Sequence, residues 1–181
     1  GERARRLFST VQVLVATCLR DAVYGTVGTP ERLFAEWRDP FPRTISEIEQ
    51  ELGRKVSAQD VLIYGLLAPA NLLDIFRNFI LFDAGSGSSG PRKVLARYHQ
   101  FRAVNAALAR IAGAKALTGR GGIIWHTQGS GERLTMLWLA LRLKRDARYQ
   151  NPTIVMVTDR STQNEQIAAE VGSNKGGIGY V

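Results

Sequence analysis

Residues Gly121-Gly-Ile-Ile-Trp-His-Thr-Gln-Gly-Ser-Gly-Glu-Arg-Leu-Thr-Met136 decide how this chain is read. The stretch from Gly121 to Trp125 has the character of a strand. Thr127, Gln128, Gly129, Ser130 and Gly131 make a glycine turn, and Glu132 opens a run with helical spacing. A turn that cradles phosphate uses glycine so that successive backbone N–H groups can face a polyphosphate. It is followed by a Lys for the β- and γ-phosphates and a Ser or Thr for Mg²⁺. Gly129 and Gly131 meet the first need, but the next two positions carry Glu132 and Arg133. The frame is that of an ATP motor, and the charges are not.

Magnitude separates binding from turnover. A carboxylate about 4 Å from a phosphate charge, at an effective dielectric of about 20, costs roughly 4 kcal/mol where Lys gains about as much, a swing of roughly 8 kcal/mol before relaxation and screening. Glu132 can turn outward and Arg133 can supply a positive charge, but a guanidinium cannot ligate Mg²⁺ as a hydroxyl does. The loop, with Leu134 and Thr135 continuing it into the helix, is expected to keep its backbone cradle and to lose efficient hydrolysis.

Downstream, Glu132 to Lys144 reads as a helix, Asn151-Pro152 as a turn, and Thr153 to Thr158 as a second strand rich in β-branched residues. Ser161 is placed to cap a further helix. Strand, helix, strand, helix at these lengths is the grammar of a parallel α/β sheet. Such sheets bind ligands at the carboxyl ends of their strands, where residues 127–131 and 159–161 are expected to fall. Thr158, Asp159 and Arg160, beside a helix N-terminus, have the groups to grip a DNA phosphate without reading sequence. The competing reading is a Ser161 cap and a surface Asp159–Arg160 pair. Arg142, Lys144, Arg145 and Arg148 read as a solvated helix end that complements the macrodipole. Trp125 and Trp138 are expected in the core.

Upstream, Val94, Tyr98, Phe101, Val104, Leu108 and Ile111 trace one helix stripe that breaks at Gly113. Gln100 on this helix pairs a donor with an acceptor and so matches the edge of adenine. A solvated helix glutamine is the other reading, and the local sequence favours it. His99 and His126 read as packing or hydrogen-bonding residues. Before these, Gly85-Ser-Gly-Ser-Ser-Gly90 and Pro91 form a tract with little to bury, equally a natural loop or an engineered spacer.

In the first half, Val11 to Leu19 reads as a short buried strand. Thr29-Pro30-Glu31 marks a helix start ahead of Leu33, Phe34 and Trp37. Thr44-Ile-Ser-Glu47 is a capping box, Ser57-Ala-Gln-Asp60 opens another helix, and after Pro69 the residues Leu72, Leu73, Phe76, Phe79 and Ile80 recur at helical spacing. This half is expected to be mostly helical after one strand, with no catalytic cluster.

Composition bounds the function. The chain has 181 residues, 45% of them hydrophobic, enough for one sizeable core or two small ones. Twenty-four Lys and Arg against sixteen Asp and Glu give a net charge of +8, which favours a polyanionic partner. Cys18 is the single cysteine, and the two histidines lie far apart in sequence, so neither a disulfide nor a zinc set is expected. No apolar run reaches the length of a membrane span and no signal core precedes the first strand, so a soluble cytoplasmic protein is expected. The start at Gly1 and the stop after a glycine-rich tail suggest a piece of a longer chain.

Four segments in order carry a resemblance. They are Leu14-Val-Ala-Thr17 with Tyr24-Gly-Thr26 and Trp37-Arg-Asp-Pro40; Leu72-Leu-Asp-Ile-Phe-Arg-Asn-Phe79; Ala96-Arg-Tyr-His-Gln-Phe-Arg-Ala-Val-Asn105; and Ile124-Trp-His-Thr-Gln-Gly-Ser-Gly131 through Val157-Thr-Asp-Arg160. Together they resemble the restriction and motor (R) subunit of type I restriction endonucleases. The resemblance implies that residues 1–84 are the distal part of a nuclease domain with a helical connector, and 85–91 a linker. It implies that 92–181 begin the first RecA-like domain of a superfamily 2 translocase, with its parallel sheet and phosphate loop. Gln100 then matches the adenine-contacting Q motif, residues 129–133 match motif I, and Thr158 to Arg160 match the motif Ia region beside the DNA backbone.

The family's work is ATP- and Mg²⁺-dependent translocation of double-stranded DNA followed by cleavage, in complex with modification and specificity subunits. The chain departs from the pattern at Glu132 and Arg133. It shows no paired acid and Glu-x-Lys nuclease signature, which belongs before Gly1, and no Walker B acids, which belong after Val181. Asn174-Lys-Gly-Gly177 has no assigned counterpart. The alternative is a non-catalytic module in which a decayed loop and a basic surface hold DNA or a partner.

Overall fold

The computed structural model describes residue 8 and residues 10–83 and 92–157. Within these the chain is mixed α/β and divides into two compact units. One holds the described residues up to Leu81 together with Arg92–Tyr98, and the other holds Phe82, Asp83 and the residues from His99 onward.

The first unit is built on an antiparallel sheet of β1 (Leu14–Thr17), β2 (Ala22–Gly25) and β3 (Ala35–Glu36), in that order. Val15 lies opposite Tyr24, which in turn lies opposite Ala35. β1 is an edge strand and largely exposed, so the run at Val11 to Leu19 is not the buried strand its composition suggests. Apolar β-branched residues favour an extended backbone, but burial depends on what covers the sheet. The strands β2 and β3 are additions to the expected single strand. Thr29-Pro30-Glu31 leads only into a 3-10 turn, Glu31–Leu33, after which Phe34 is already extended.

Three helices follow. α1 (Ile45–Leu52) starts at a full capping box, in which Thr44 Oγ1 accepts from the Glu47 amide while the Glu47 carboxylate accepts from the Thr44 amide. α2 (Ala58–Tyr64) repeats the device with Ser57 and Asp60, and Arg54 adds two hydrogen bonds to the Asp60 carboxylate at 2.6 and 2.8 Å. α3 (Pro69–Asn78) has proline in its first turn, where no amide is needed. Phe79 ends it, and Ile80 enters β4 (Ile80–Asp83), which pairs with β5 (Arg92–Leu95). The expected helical stripe therefore stops two residues early, and Val94 belongs to a strand.

The core of this unit gathers Tyr24, Trp37, Ile48, Leu62, Leu66, Ile75 and Phe79. Tyr24 and Trp37 meet edge to face at 5.6 Å, and the Tyr24 hydroxyl donates to the Ala96 carbonyl at 3.0 Å. Gly65 lies so close to the Trp37 ring that a Cβ there would overlap it. Asn71 reaches from α3 to donate to the carbonyls of Phe41 and Gly65, leaving its buried amide satisfied.

The second unit is carried by α4 (Tyr98–Gly113) and α5 (Glu132–Arg145). α4 buries Gln100, Phe101, Val104 and Leu108, a 3.6-residue stripe with one polar member. α5 buries Thr135, Leu137, Trp138, Ala140 and Leu141, and its last turn carries Arg142, Lys144 and Arg145 where cations complement the helix dipole.

The two expected strands of this unit run extended without entering a ladder among the described residues. Their exposure alternates with period two. Ile123 and Trp125 are each 92% exposed while Ile124 and His126 between them are more covered, and Val155 and Val157 alternate in the same way with half-buried neighbours. Trp125 is thus a surface residue, not part of the core, whereas Trp138 is fully buried. Residue composition reports the preference for extended backbone; a ladder requires a neighbour to supply the opposing N–H and C=O groups.

Candidate functional site

The turn between residue 126 and α5 is organised by its glycines. Gly129 (φ +73°) and Gly131 (φ +97°) both occupy the left-handed region that side chains rarely adopt. Gly131 also has no room for a side chain, because a Cβ there would run into the Gln100 amide nitrogen. It stands as the N-cap of α5 and brings no capping side chain to it.

Gln100 is 2% exposed and reaches into this turn from α4. Its Nε2 donates to the carbonyl of Gly131 at 3.1 Å and, more weakly, to that of Ser130 at 3.4 Å. His99, one residue earlier, donates from Nε2 to the Ser130 carbonyl at 3.1 Å. His126 pairs its Nδ1 with the Ser130 hydroxyl at 3.2 Å, and the two imidazoles meet edge to face at 5.7 Å. Burial, and next the neighbouring His99, hold the His126 pKa below its ordinary value, while Glu132 opposes them weakly. The His126 Nε2 is buried without a hydrogen-bond partner.

The amide side of the turn is also engaged. The Ser130 N–H donates to the Thr127 carbonyl at 3.0 Å, and the Gly129 N–H donates to Glu132 Oε1 at 3.1 Å. Thr135, buried, returns its hydroxyl to the Gly131 carbonyl at 3.3 Å, a bond within the first turn of the helix. Beside the turn lies a cavity of about 370 Å³ lined by Ile124, Trp125, His126, Glu132, Thr135, Met136 and Leu139. It is mainly apolar, with Glu132 and His126 as its charged or titratable members.

The structure therefore brings together Gln100, Ser130, Gly131, Glu132 and Thr135, with Thr127 and Gln128 exposed on the outer side of the turn and Arg133 and Leu134 half-buried in the helix start. Thr158, Asp159 and Arg160 lie outside the described residues, as does Ser161. The two histidines contribute more than packing. Their signal in the sequence was position alone: His99 adjoins Gln100, and His126 ends the extended segment four residues before Ser130. Among the described residues no group of three His, Cys, Asp or Glu could hold a metal ion, and no helix is long and apolar enough to cross a membrane.

The glycine turn, clasped by a glutamine from α4, lies inside a segment that is similar to a known family. Residues 99–177 match the SWI2/SNF2 ATPase family. Over a longer span the chain is homologous to the endonuclease subunits of type I restriction enzymes. It is 40% identical over 116 residues to the HindI endonuclease subunit of Haemophilus influenzae, covering 63% of this chain and 11% of that protein. It is 26% identical over 180 residues to the MjaIXP endonuclease subunit of Methanocaldococcus jannaschii, covering 90% of this chain and 16% of the relative. With the MjaVIIP endonuclease subunit of the same organism it shares 36% over 125 residues, 66% of this chain and 11% of the relative. The chain thus spans between 11% and 16% of the length of these relatives.

Proposed function

We propose that this chain is part of the motor-bearing endonuclease subunit of a type I restriction enzyme, a protein that couples ATP hydrolysis to translocation and cleavage of double-stranded DNA. In this reading residues 1–84 are the distal nuclease region with its helical connector, 85–91 a linker, and 92–181 the opening of the first RecA-like domain. Gln100 and residues 127–135 form the nucleotide site, and Thr158, Asp159 and Arg160 lie against the DNA backbone. Modification and specificity subunits are the protein partners. The observation that carries the reading is the clasp of Gln100 on a turn with two left-handed glycines, inside the segment that matches an ATPase family.

The turn has the glycines that a phosphate loop uses, and its charges do not fit Mg²⁺-ATP. Position 132 presents a carboxylate, and position 133 a guanidinium with no oxygen for a metal. Lys and Mg²⁺ are what neutralise charge developing on a transferred phosphoryl group. This copy of the loop is therefore read as non-hydrolytic. A second reading, a non-catalytic module that holds DNA or a partner, draws support from the same two residues and from the net charge of +8.

Restoring Glu132→Lys together with Arg133→Ser in the full-length subunit is expected to produce DNA-stimulated ATP hydrolysis. Hydrolysis that does not change after the double substitution counts against the loop. Titrating DNA and nucleotide separately across salt concentrations distinguishes the binding module, which shows steeply salt-dependent DNA affinity and no response to nucleotide.

A further inference from the structure

We infer that the loop carries its own anion: the Glu132 carboxylate occupies the Gly129 amide and keeps phosphates out of the turn. The inference rests on the reading of residues 127–135 as a phosphate-type loop. It goes further, because an acid at this position could equally have pointed to solvent and left the turn open.

One contact places the carboxylate on the turn, and two features of the turn agree with it. Glu132 Oε1 accepts from the Gly129 N–H at 3.1 Å, reaching back across the two residues that separate them. Gly131, the N-cap of α5, brings no capping side chain, so the first helical residue supplies the negative charge that a helix N-terminus favours. Other groups of the turn are engaged in the same arrangement. The Ser130 amide is held by the Thr127 carbonyl, the Ser130 hydroxyl by His126, and the Ser130 and Gly131 carbonyls by Gln100.

The chemistry is that of a competing ligand. In an open phosphate loop the amides meet a phosphate oxygen; here the Gly129 amide meets a carboxylate oxygen. The carboxylate is tethered three residues away, so its effective concentration at the amide far exceeds that of a free anion. An incoming phosphate must displace it and then accept a negative charge as its neighbour. Glu132 thus acts on specificity: it gives the Gly129 amide an anion of the chain's own in place of a phosphate.

The test uses inorganic pyrophosphate as probe with the chain as it stands, read by calorimetry and by the backbone amide signal of Gly129. Wild type is expected to bind weakly and to show little movement of the Gly129 signal. Glu132→Ala is expected to bind at least about tenfold more tightly, with the Gly129 signal shifting on addition of pyrophosphate. Glu132→Asp keeps the charge on a shorter arm, so it is expected to free the Gly129 amide yet still repel phosphate, and to bind more tightly than wild type but less tightly than Glu132→Ala. If it matches wild type, charge alone is responsible and the occupancy is overturned. If wild type binds as tightly as Glu132→Ala, the inference fails while the phosphate-loop reading stands. If neither these variants nor Glu132→Lys binds, the loop reading fails and the inference with it. Unchanged helical circular dichroism in each variant shows that the comparison is between folded proteins.

Discussion

The side-chain amide of Gln100 donates to the main-chain carbonyl of Gly131 at 3.1 Å, joining a helix to a turn 31 residues further along the chain. The bond is buried on the glutamine side and meets a residue in the left-handed region, where an added Cβ would also run into the Gln100 amide.

Gly131→Ala brings two separate penalties, left-handed strain and overlap with Gln100, and is expected to destabilise the second unit by about 1–3 kcal/mol. Gln100→Ala removes the obstacle and also two donor interactions. In a double-mutant cycle followed by thermal denaturation, the alanine at 131 is expected to cost less in the Gln100→Ala background. Additive effects would show that the two residues do not meet.

The Asp60 carboxylate accepts from both Arg54 and Ser57. Arg54 first, and then Ser57, hold its carboxyl well below the ordinary range against the opposing effect of burial. Its contribution to stability is fully present above the unfolded carboxyl value of about 3.9 and is lost as pH falls through the depressed folded value. Asp60→Ala is expected to cost about 1–2 kcal/mol near neutral pH, chiefly the capping box, since the exposed side of Arg54 lets solvent screen the ion pair. The variant should also lose part of the acid limb of the wild-type pH–stability curve, which chemical denaturation at a series of pH values measures.

His126 titrates in the opposite sense to a histidine that gains an acidic partner. Because burial and His99 depress its pKa, the folded protein binds fewer protons than the unfolded one just below the ordinary histidine value of about 6.5. Stability is retained above that value and falls as pH drops through it toward the depressed one. Proton NMR of the imidazole is expected to give a midpoint below 6.5. A midpoint at or above that value would contradict the buried contact with Ser130.

Trp125 and Trp138 make a contrast that fluorescence can read. Trp138→Ala is expected to cost about 3–5 kcal/mol, the loss of a buried aromatic side chain, whereas Trp125→Ala is expected to stay within about 0.5 kcal/mol. Iodide quenching should act mainly on Trp125, which is 92% exposed, and Trp125→Phe should remove that component. Strong quenching that survives the Phe substitution would place another tryptophan at the surface.

What was legible in the sequence is what neighbouring residues decide among themselves. Thr44 with Glu47 and Ser57 with Asp60 announce their helices because a capping box closes within four residues. Glu132 to Lys144 and the stripe from Tyr98 to Ile111 were readable for the same reason: helix hydrogen bonds are local. The ordered motifs also carried the resemblance to type I restriction subunits, which the relatives bear out.

The exposure of β1 and the pairing of β2 with β3 were not legible, nor was it legible that residues 121–125 join no ladder among the described residues. Strand pairing is a property of two segments, and no single segment encodes its partner. The same limit applied at the site. The chain by itself determined that the turn has two glycines and an inverted charge. Only the tertiary structure decided that Gln100 and the two histidines converge on Ser130 and Gly131, and that the Glu132 carboxylate faces the Gly129 amide. Directional contacts across about 30 residues depend on how α4 packs beside the turn, and that packing is set by the whole apolar stripe rather than by the polar residues it brings together.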